Sequence, residues 1–518
     1  MARVRLALTI SGAVALGAFE GGVLAALINA IRPLSQGDDE EVVIDAIGGA
    51  SAGSMTALLA ARCLTGGYDP VPVMQEAWVT GDSIQHLLHN LGDSPLSADD
   101  LRKLAEHLFR DDAPKAGGSQ RSPVQVAMTL ACLRGLEYDA QQPNRPGITA
   151  TTYVDVVTLE VQPGWNASSF LQPDRSSPAD VSIASGANEM AFPPQLLARE
   201  ADRAKYEAQG LTIPEGGYLW YTDGGTIDNE PLGHTLDLTN DLDRNCPDDT
   251  VRTHVLIHPD PAGSPSGMDW CDPANPPTWL STLLRADHLQ RTQSLYDDLR
   301  NVIKTNTRLL WMDQVLESIS QVISGFSEED QDRLAVALRS VIASIDGDRL
   351  GLAGSHDPPE PTAGLEPSAL FERAIRTASG TSGKRPVGVE VISPVRLAGQ
   401  QGRSVAQMLA GEILGHFGGF FDENLRASDF DLGYECALEW MTAGLPRCGL
   451  TADQTKQAIA AASDGYKVQQ LWKKWGETSL GQVSSHHPMA LAGLLAQIGR
   501  VSAQDAIGIH HRHNPFRT

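Results

Sequence analysis

One short stretch constrains this chain more than any other. Val42 to Ile47 is an apolar, β-branched block, Gly48-Gly49-Ala50-Ser51-Ala52-Gly53 follows, and Ser54 to Leu64 is rich in Ala and Leu. The order reads as a buried strand, a sharp turn and a helix. Gly49–Gly53 is a GxSxG sequence. A serine on such a turn has a strained backbone and an exposed hydroxyl, and its neighbours are tiny because strand and helix approach closely there. The start of the following helix aims its dipole and free N–H groups at the same point, which favours a developing oxyanion. The plain alternative is a glycine-rich turn with a chance serine. The flanking strand and helix favour a nucleophile at Ser51.

The preceding residues repeat this grammar. Arg3 to Ile10 reads as a buried strand, Ser11 to Gly17 as a small-residue loop, and Ala18 to Ile31 as a helix with Phe19, Val23, Leu24, Leu27 and Ile31 at helical spacing. Strand–loop–helix–strand–turn–helix is the pattern of a parallel α/β sheet. Leu6 to Ile31 is apolar, follows Arg3 and Arg5, and so competes as a signal peptide or membrane helix. Gly12, Gly17, Gly21, Gly22 and Glu20 break that pattern and favour core structure.

Further strands are expected at Thr151 to Leu159, Tyr218 to Thr222, Val251 to His258 and Val387 to Ile392, the last returning to the main sheet. The expected organisation has a catalytic unit over 1–262 with a helical insertion at about 66–147. A helical region over 263–345, a flexible Gly/Pro-rich linker over 346–385, and a return strand with a helical C-terminal region over 386–518 complete it.

The chain has 518 residues and a formal net charge of -24. That acidity argues against nucleic-acid partners. It also predicts repulsion from anionic membranes unless a local basic or apolar patch compensates. Six cysteines at 63, 132, 246, 271, 436 and 448 are scattered, without disulfide-framework or zinc spacing. The histidines at 486–487 and 510–513 have no acidic or cysteine companions at ligand spacing and read as a solvated tail rather than a metal site.

Two more pieces carry chemistry. A small-residue turn at Ser11–Gly17 can point N–H groups into a cavity and hold a tetrahedral oxyanion. A nucleotide phosphate loop is disfavoured there, because neither GxGxxG nor Gly-Lys-Ser/Thr follows. Thr222-Asp223-Gly224-Gly225 ends an aromatic strand and places a carboxylate at a strand end, where α/β sites form. In isolation it is an ordinary Asp-Gly turn.

Together the Gly12–Gly17 loop, Gly49–Gly53 and Asp223–Gly225 resemble, in order, the motifs of the patatin-like phospholipases. Ala191-Phe192-Pro193-Pro194 after Ala184-Ser185, and Asp228-Asn229-Glu230-Pro231-Leu232, are similar to further family segments over roughly residues 4–262. Phe417-Gly418-Gly419-Phe420-Phe421-Asp422 is similar to a C-terminal segment of some bacterial members. The family loop, Gly-Gly-Gly-x-Arg/Lys-Gly, departs here at Ala13, Val14 and Leu16, so backbone donors persist but the cation is missing. The loop is closer to a bacterial subgroup reading Ser-Gly-Gly-Val-Ser-Leu-Gly.

The resemblance implies a three-layer α/β fold and a lipid or phospholipid substrate met at membrane surfaces. It implies a Ser51–Asp223 dyad, an oxyanion site at the loop of Gly12, Ala13, Val14 and Gly17 with Ala52, and no cofactor or catalytic metal. A cytoplasmic location is expected, with peripheral membrane association and secretion as alternatives. Two alternatives stay open: an α/β-hydrolase esterase with a Ser51–Asp223–His258 triad, and a catalytically silent lipid-binding or scaffold protein.

Overall fold

The computed structural model describes every residue except 1–2, 37–39, 82, 89–93, 111–119, 143–144, 245, 248, 262–272, 274–277, 351–361, 363, 380, 382–383, 414–415 and 510–518. Among the described residues, nine strands form one sheet: β1 (Val4–Ile10), β2 (Val42–Gly49), β3 (Val124–Gln142), β4 (Arg145–Val161), β5 (Gln195–Ala198), β6 (Leu211–Thr212), β7 (Tyr218–Asp223), β8 (Val251–Ile257) and β9 (Gly388–Ile392). The order is β5-β7-β3-β2-β1-β8-β9, with β4 and β6 also paired to β3. β3, β2, β1, β8 and β9 run parallel, whereas β4, β6 and β7 pair antiparallel with β3. β9 pairs with β8, so the chain does return to the main sheet.

Helix α1 (Gly17–Ile31) and helix α2 (Ala52–Gly66) pack against each other and join the main core with β1 and β2. The Leu232–Asp243 helix packs on β1, β2 and β3 from the other face, where Thr9 Oγ1 donates to Thr235 Oγ1 at 3.0 Å. The result is helix, sheet, helix, the three-layer α/β arrangement. The helical run Val14–Leu34, which contains α1, is long and apolar enough to cross a membrane, but 94% of its most apolar window is buried inside the protein. Arg5 pairs with Asp45 of β2 at 2.5 Å, so this N-terminal cation belongs to the sheet. Glu20, in the first turn of α1, is fully buried, and burial pushes its carboxyl well above the usual range. Ser11 Oγ donates to its Oε1 at 3.3 Å, which gives the buried carboxyl a partner.

Two expectations need correction. The helical insertion ends early: helices occupy 70–80, 84–87 and 99–108, but β3 and β4 occupy 124–142 and 145–161. The physical reason is legible in Val124, Val126, Met128, Leu130 and Cys132, which alternate with other residues at strand period and are all buried. The linker is not all linker, since Pro367–Ala378 is a helix that buries Leu370 and Ala374 against Ala335 and Ile342 of the Glu328–Leu350 helix. Its middle, 351–361, lies outside the described residues, as do the histidines at 510–513.

The C-terminal helices are part of the core. The Glu423–Arg447 helix crosses α1 with backbones in contact, and a Cβ on Gly22 would lie 2.0 Å from the Phe430 carbonyl oxygen. Reciprocally, a Cβ on Gly433 would lie 2.0 Å from the Phe19 carbonyl oxygen. Only glycine fits at either point. Gly22→Ala and Gly433→Ala should each destabilise by about 1–3 kcal/mol or more, because backbone must move to admit the methyl. Gly399→Ala, where a Cβ meets nothing within 4 Å, should stay near wild type. Thermal melts of the three variants check this; equal melting temperatures would contradict the crossing.

Candidate active site

The C-terminal ends of β1, β2 and β8 stop level, with Ile10 opposite Gly49 on one side and Ile257 on the other. The chain therefore releases the Ser11–Gly17 loop, the Ser51 turn and the His258 segment at one edge of the sheet. Sites of α/β proteins form at such edges.

Ser51 caps α2 with φ 51° and ψ -125°. A non-glycine residue in this region costs about 1–3 kcal/mol and needs surroundings that hold it there. The surroundings are close. A Cβ on Gly49 would lie 2.3 Å from the Gly53 carbonyl oxygen, and one on Gly53 would lie 2.6 Å from those of Ile10 and Ser11. Ser185, ending the Pro178–Ser185 helix, supports the turn from behind. Its hydroxyl accepts from the Ser51 N–H at 3.0 Å, donates to the Thr129 carbonyl at 2.7 Å, and lies 2.7 Å from Ser54 Oγ.

Asp223 reaches this turn through the length of β3. Gly49 sits opposite Met128, and β3 continues past the edge of the parallel sheet. β7 returns antiparallel along that extension and sets Asp223 opposite Leu130, two residues beyond Met128 and so level with Ser51. Ser51 Oγ donates to Asp223 Oδ2 at 2.9 Å, and Gly225 N–H donates to Asp223 Oδ1 at 2.8 Å. Both residues are buried. Gly224 has no room for a side chain, since a Cβ would lie 2.2 Å from the Thr129 carbonyl oxygen.

The members of the Ser11–Gly17 loop have separate tasks. Gly12 is not a free donor, because its N–H goes to the Asn229 carbonyl at 2.9 Å. Its place is steric: a Cβ would lie 2.3 Å from Asn229 Oδ1 and 2.9 Å from Ser51 Cβ. Gly17 uses its N–H on the carbonyls of Val14 and Ala15, and a Cβ there would meet Trp78 at 2.6 Å. The N–H groups of Ala13 and Val14 have no acceptor among the described residues. Val14 has φ 52°, a genuine outlier for a β-branched residue. Leu16, in the place of the family's cation, is fully buried beneath Gly411. A charge there would lose its water.

The histidines point elsewhere. His258 Nε2 lies 3.0 Å from Glu230 Oε1, and its Nδ1 accepts from the Asp260 N–H at 3.0 Å, so both ring nitrogens are committed away from Ser51 and Asp223. His234 lies 3.4 Å from Asp228, not Asp223, and burial lowers its pKa. Burial, with Asp298 and Glu230 nearby, pushes Asp228 up to about 7. No group of three or more His, Cys, Asp or Glu among the described residues could hold a metal ion.

Ser51 opens into a cleft of about 700 Å³, mouth included. Val14, Met55, Trp78, Leu104, Ile183 and Phe420 line it with apolar groups, and no charged residue among the described residues lines it. Sequence reasoning missed Ser185 as a support, although Ala184-Ser185 was part of a motif, and missed Trp78, which no local pattern marks. Phe420 lay in the Phe417–Asp422 segment, without a role.

Residues 8–236 match the family model of patatin-like phospholipases. A search of curated proteins finds no match. Solved structures match, among them the crystal structure of VipD from Legionella pneumophila, 11% identical over 96% of this chain and 91% of that one, with a TM-score of 0.23.

Ser185→Ala should leave the buried Ser51 N–H without its acceptor and lower stability by about 1–3 kcal/mol. If Ser185 positions the turn, Ser185→Ala should also slow fluorophosphonate labelling of Ser51 in the folded variant. Unchanged melting and labelling would remove Ser185 from this account.

Proposed function

We propose that this patatin-like phospholipase domain, residues 8–236, hydrolyses carboxylic esters of lipids through a Ser51–Asp223 dyad and an acyl-enzyme. One observation carries the reading: the Ser51 hydroxyl, on its strained turn, donates to Asp223 and faces an uncharged apolar cleft. An acyl chain suits such a wall, and the ester carbonyl then lies over Ser51.

Asp223 takes the Ser51 proton as Oγ attacks the carbonyl carbon. The resulting oxyanion is held by the N–H groups of Ala13 and Val14 and by that of Ala52 at the start of α2. The tetrahedral intermediate collapses, the C–O bond breaks, and the alcohol or lysolipid leaves with the proton from Asp223. Water then attacks the acyl-enzyme with Asp223 as base, releasing the fatty acid and restoring Ser51. Gly225 N–H fixes the other carboxylate oxygen and so the angle of the base. The buried Leu16 and uncharged cleft wall favour recognition of the acyl part over an anionic headgroup. The triad reading is disfavoured by the two hydrogen bonds that occupy His258.

The test uses a soluble short-chain ester, so that surface binding does not enter. Ser51→Ala and Asp223→Asn should each lower kcat/KM by at least about a thousandfold, and His258→Gln, if folded by circular dichroism, should keep most activity. A fluorophosphonate should label Ser51. Chelator should not slow the soluble assay, since Ser51 rather than metal-bound water supplies the nucleophile. No turnover and no labelling in folded wild type would favour a silent lipid-binding protein. Collapse of a folded His258 variant would restore the triad.

A further inference from the structure

The Trp279–Ser324 helix carries a face that the rest of the protein leaves open. On its inner side Leu295, Val302, Leu309, Met312 and Leu316 are buried. On its outer side Tyr296, Ile303, Leu310 and Trp311 are 59–65% exposed. A helix turns 100° per residue, so these four fall within about a third of a turn of one another.

Arg300, Lys304 and Arg308 are exposed on the same side. None of the three makes an ion pair or hydrogen bond among the described residues. From Leu299 to Met312 there is no acidic residue, in a chain whose net charge is -24. Elsewhere arginines find partners, as Arg333 does with Glu329 and Arg376 with Asp313. Set against Asp297, the exposed carboxylate beside Tyr296, the three free cations still leave this face net positive in an acidic chain.

We propose that this outer face, centred on Tyr296, Arg300, Ile303, Lys304, Arg308 and Trp311, docks the protein on an anionic lipid surface. Trp and Tyr favour the headgroup level of a bilayer, apolar neighbours enter the acyl boundary, and cations meet anionic headgroups. A second copy of the chain fits less well. Tyr296, Ile303 and Leu310 recur every seven residues, but the positions three further on are Leu299, Asn306 and Asp313, so a coiled-coil seam would be half polar. The inner side of the helix is tied to the loop that follows Asp223. Gly233 N–H donates to Asp298 at 2.7 Å, and Ser294 Oγ donates to Glu230 at 2.9 Å. Docking would therefore bring lipid to within about one helix diameter, roughly 10 Å, of that loop.

The test is co-sedimentation of the full chain with vesicles of ether-linked phosphatidylcholine, with and without ether-linked phosphatidylserine. Ether lipids resist ester hydrolysis, so binding is read independently of the proposed activity. Binding should require phosphatidylserine and weaken as salt rises. Arg300→Gln/Lys304→Gln/Arg308→Gln should weaken it roughly a hundredfold, from about 1 kcal/mol per cation. Trp311→Ser should weaken it at every salt concentration. Both variants should hydrolyse a soluble ester at the wild-type rate. Absence of vesicle binding, binding indifferent to phosphatidylserine, or equal binding by the triple variant would each overturn the proposal. So would a stable dimer in solution that Trp311→Ser dissociates, which would assign the face to a second copy.

Discussion

The backbone at Ser51, held at φ 51°, is the constraint around which the rest of this structure is arranged. It costs about 1–3 kcal/mol and does not persist alone. Glycines at 49 and 53 let α2 press against the ends of β1 and β2. Ser185 accepts the Ser51 N–H and anchors itself on Thr129, so the turn is braced from a helix and from β3 together. The same bracing satisfies buried polar groups, which would otherwise cost as much as the strain. A second non-glycine left-handed residue, Val14, stands on the facing loop and lines the same cleft. Strain is thus concentrated on both sides of the point where an ester carbonyl would sit.

Strand β3 turns that local constraint into a pair of functional groups. Its 19 residues are far more than the parallel sheet requires. The inner part continues the core beside β2, and the outer part gives β7 a template on which to run back. Register does the rest: Gly49 is level with Met128, Asp223 with Leu130, and the 2.9 Å bond between Ser51 and Asp223 follows. A shift of β7 by one residue would turn Asp223 to the opposite face of the sheet.

The C-terminal third completes the layer that holds the candidate site. Gly22 and Gly433 allow two helices to touch backbone to backbone, and the segment before the second helix covers Leu16 and contributes Phe420 to the cleft. The carbonyl of His416 in that segment accepts the N–H of Ala15 at 3.2 Å. The loop facing Ser51 is therefore held from about 400 residues further along the chain.

Much of the site was legible because its signals are local. Tiny residues around Ser51, an apolar strand before it and a helix after it are dictated by steric contact within a dozen residues, and Asp223 sits on a glycine turn that marks a strand end. The order β1, α1, β2, α2 followed from periodicity alone. The strand character of 124–142 was also written in the alternation of Val124, Val126, Met128 and Leu130, but Gly and Pro breaks nearby obscured it. What no local pattern encodes is juxtaposition. That Gly12 spends its N–H on Asn229, that His258 turns to Glu230, that Trp78 fills the space Gly17 leaves, and that Asp223 stands level with Ser51 are outcomes of strand register and helix crossing. The sequence by itself determined which residues are able to bear the chemistry, because steric and polar demands on a tight turn act between neighbours. Only the tertiary structure decided which of them meet, because that depends on contacts between residues far apart in the chain.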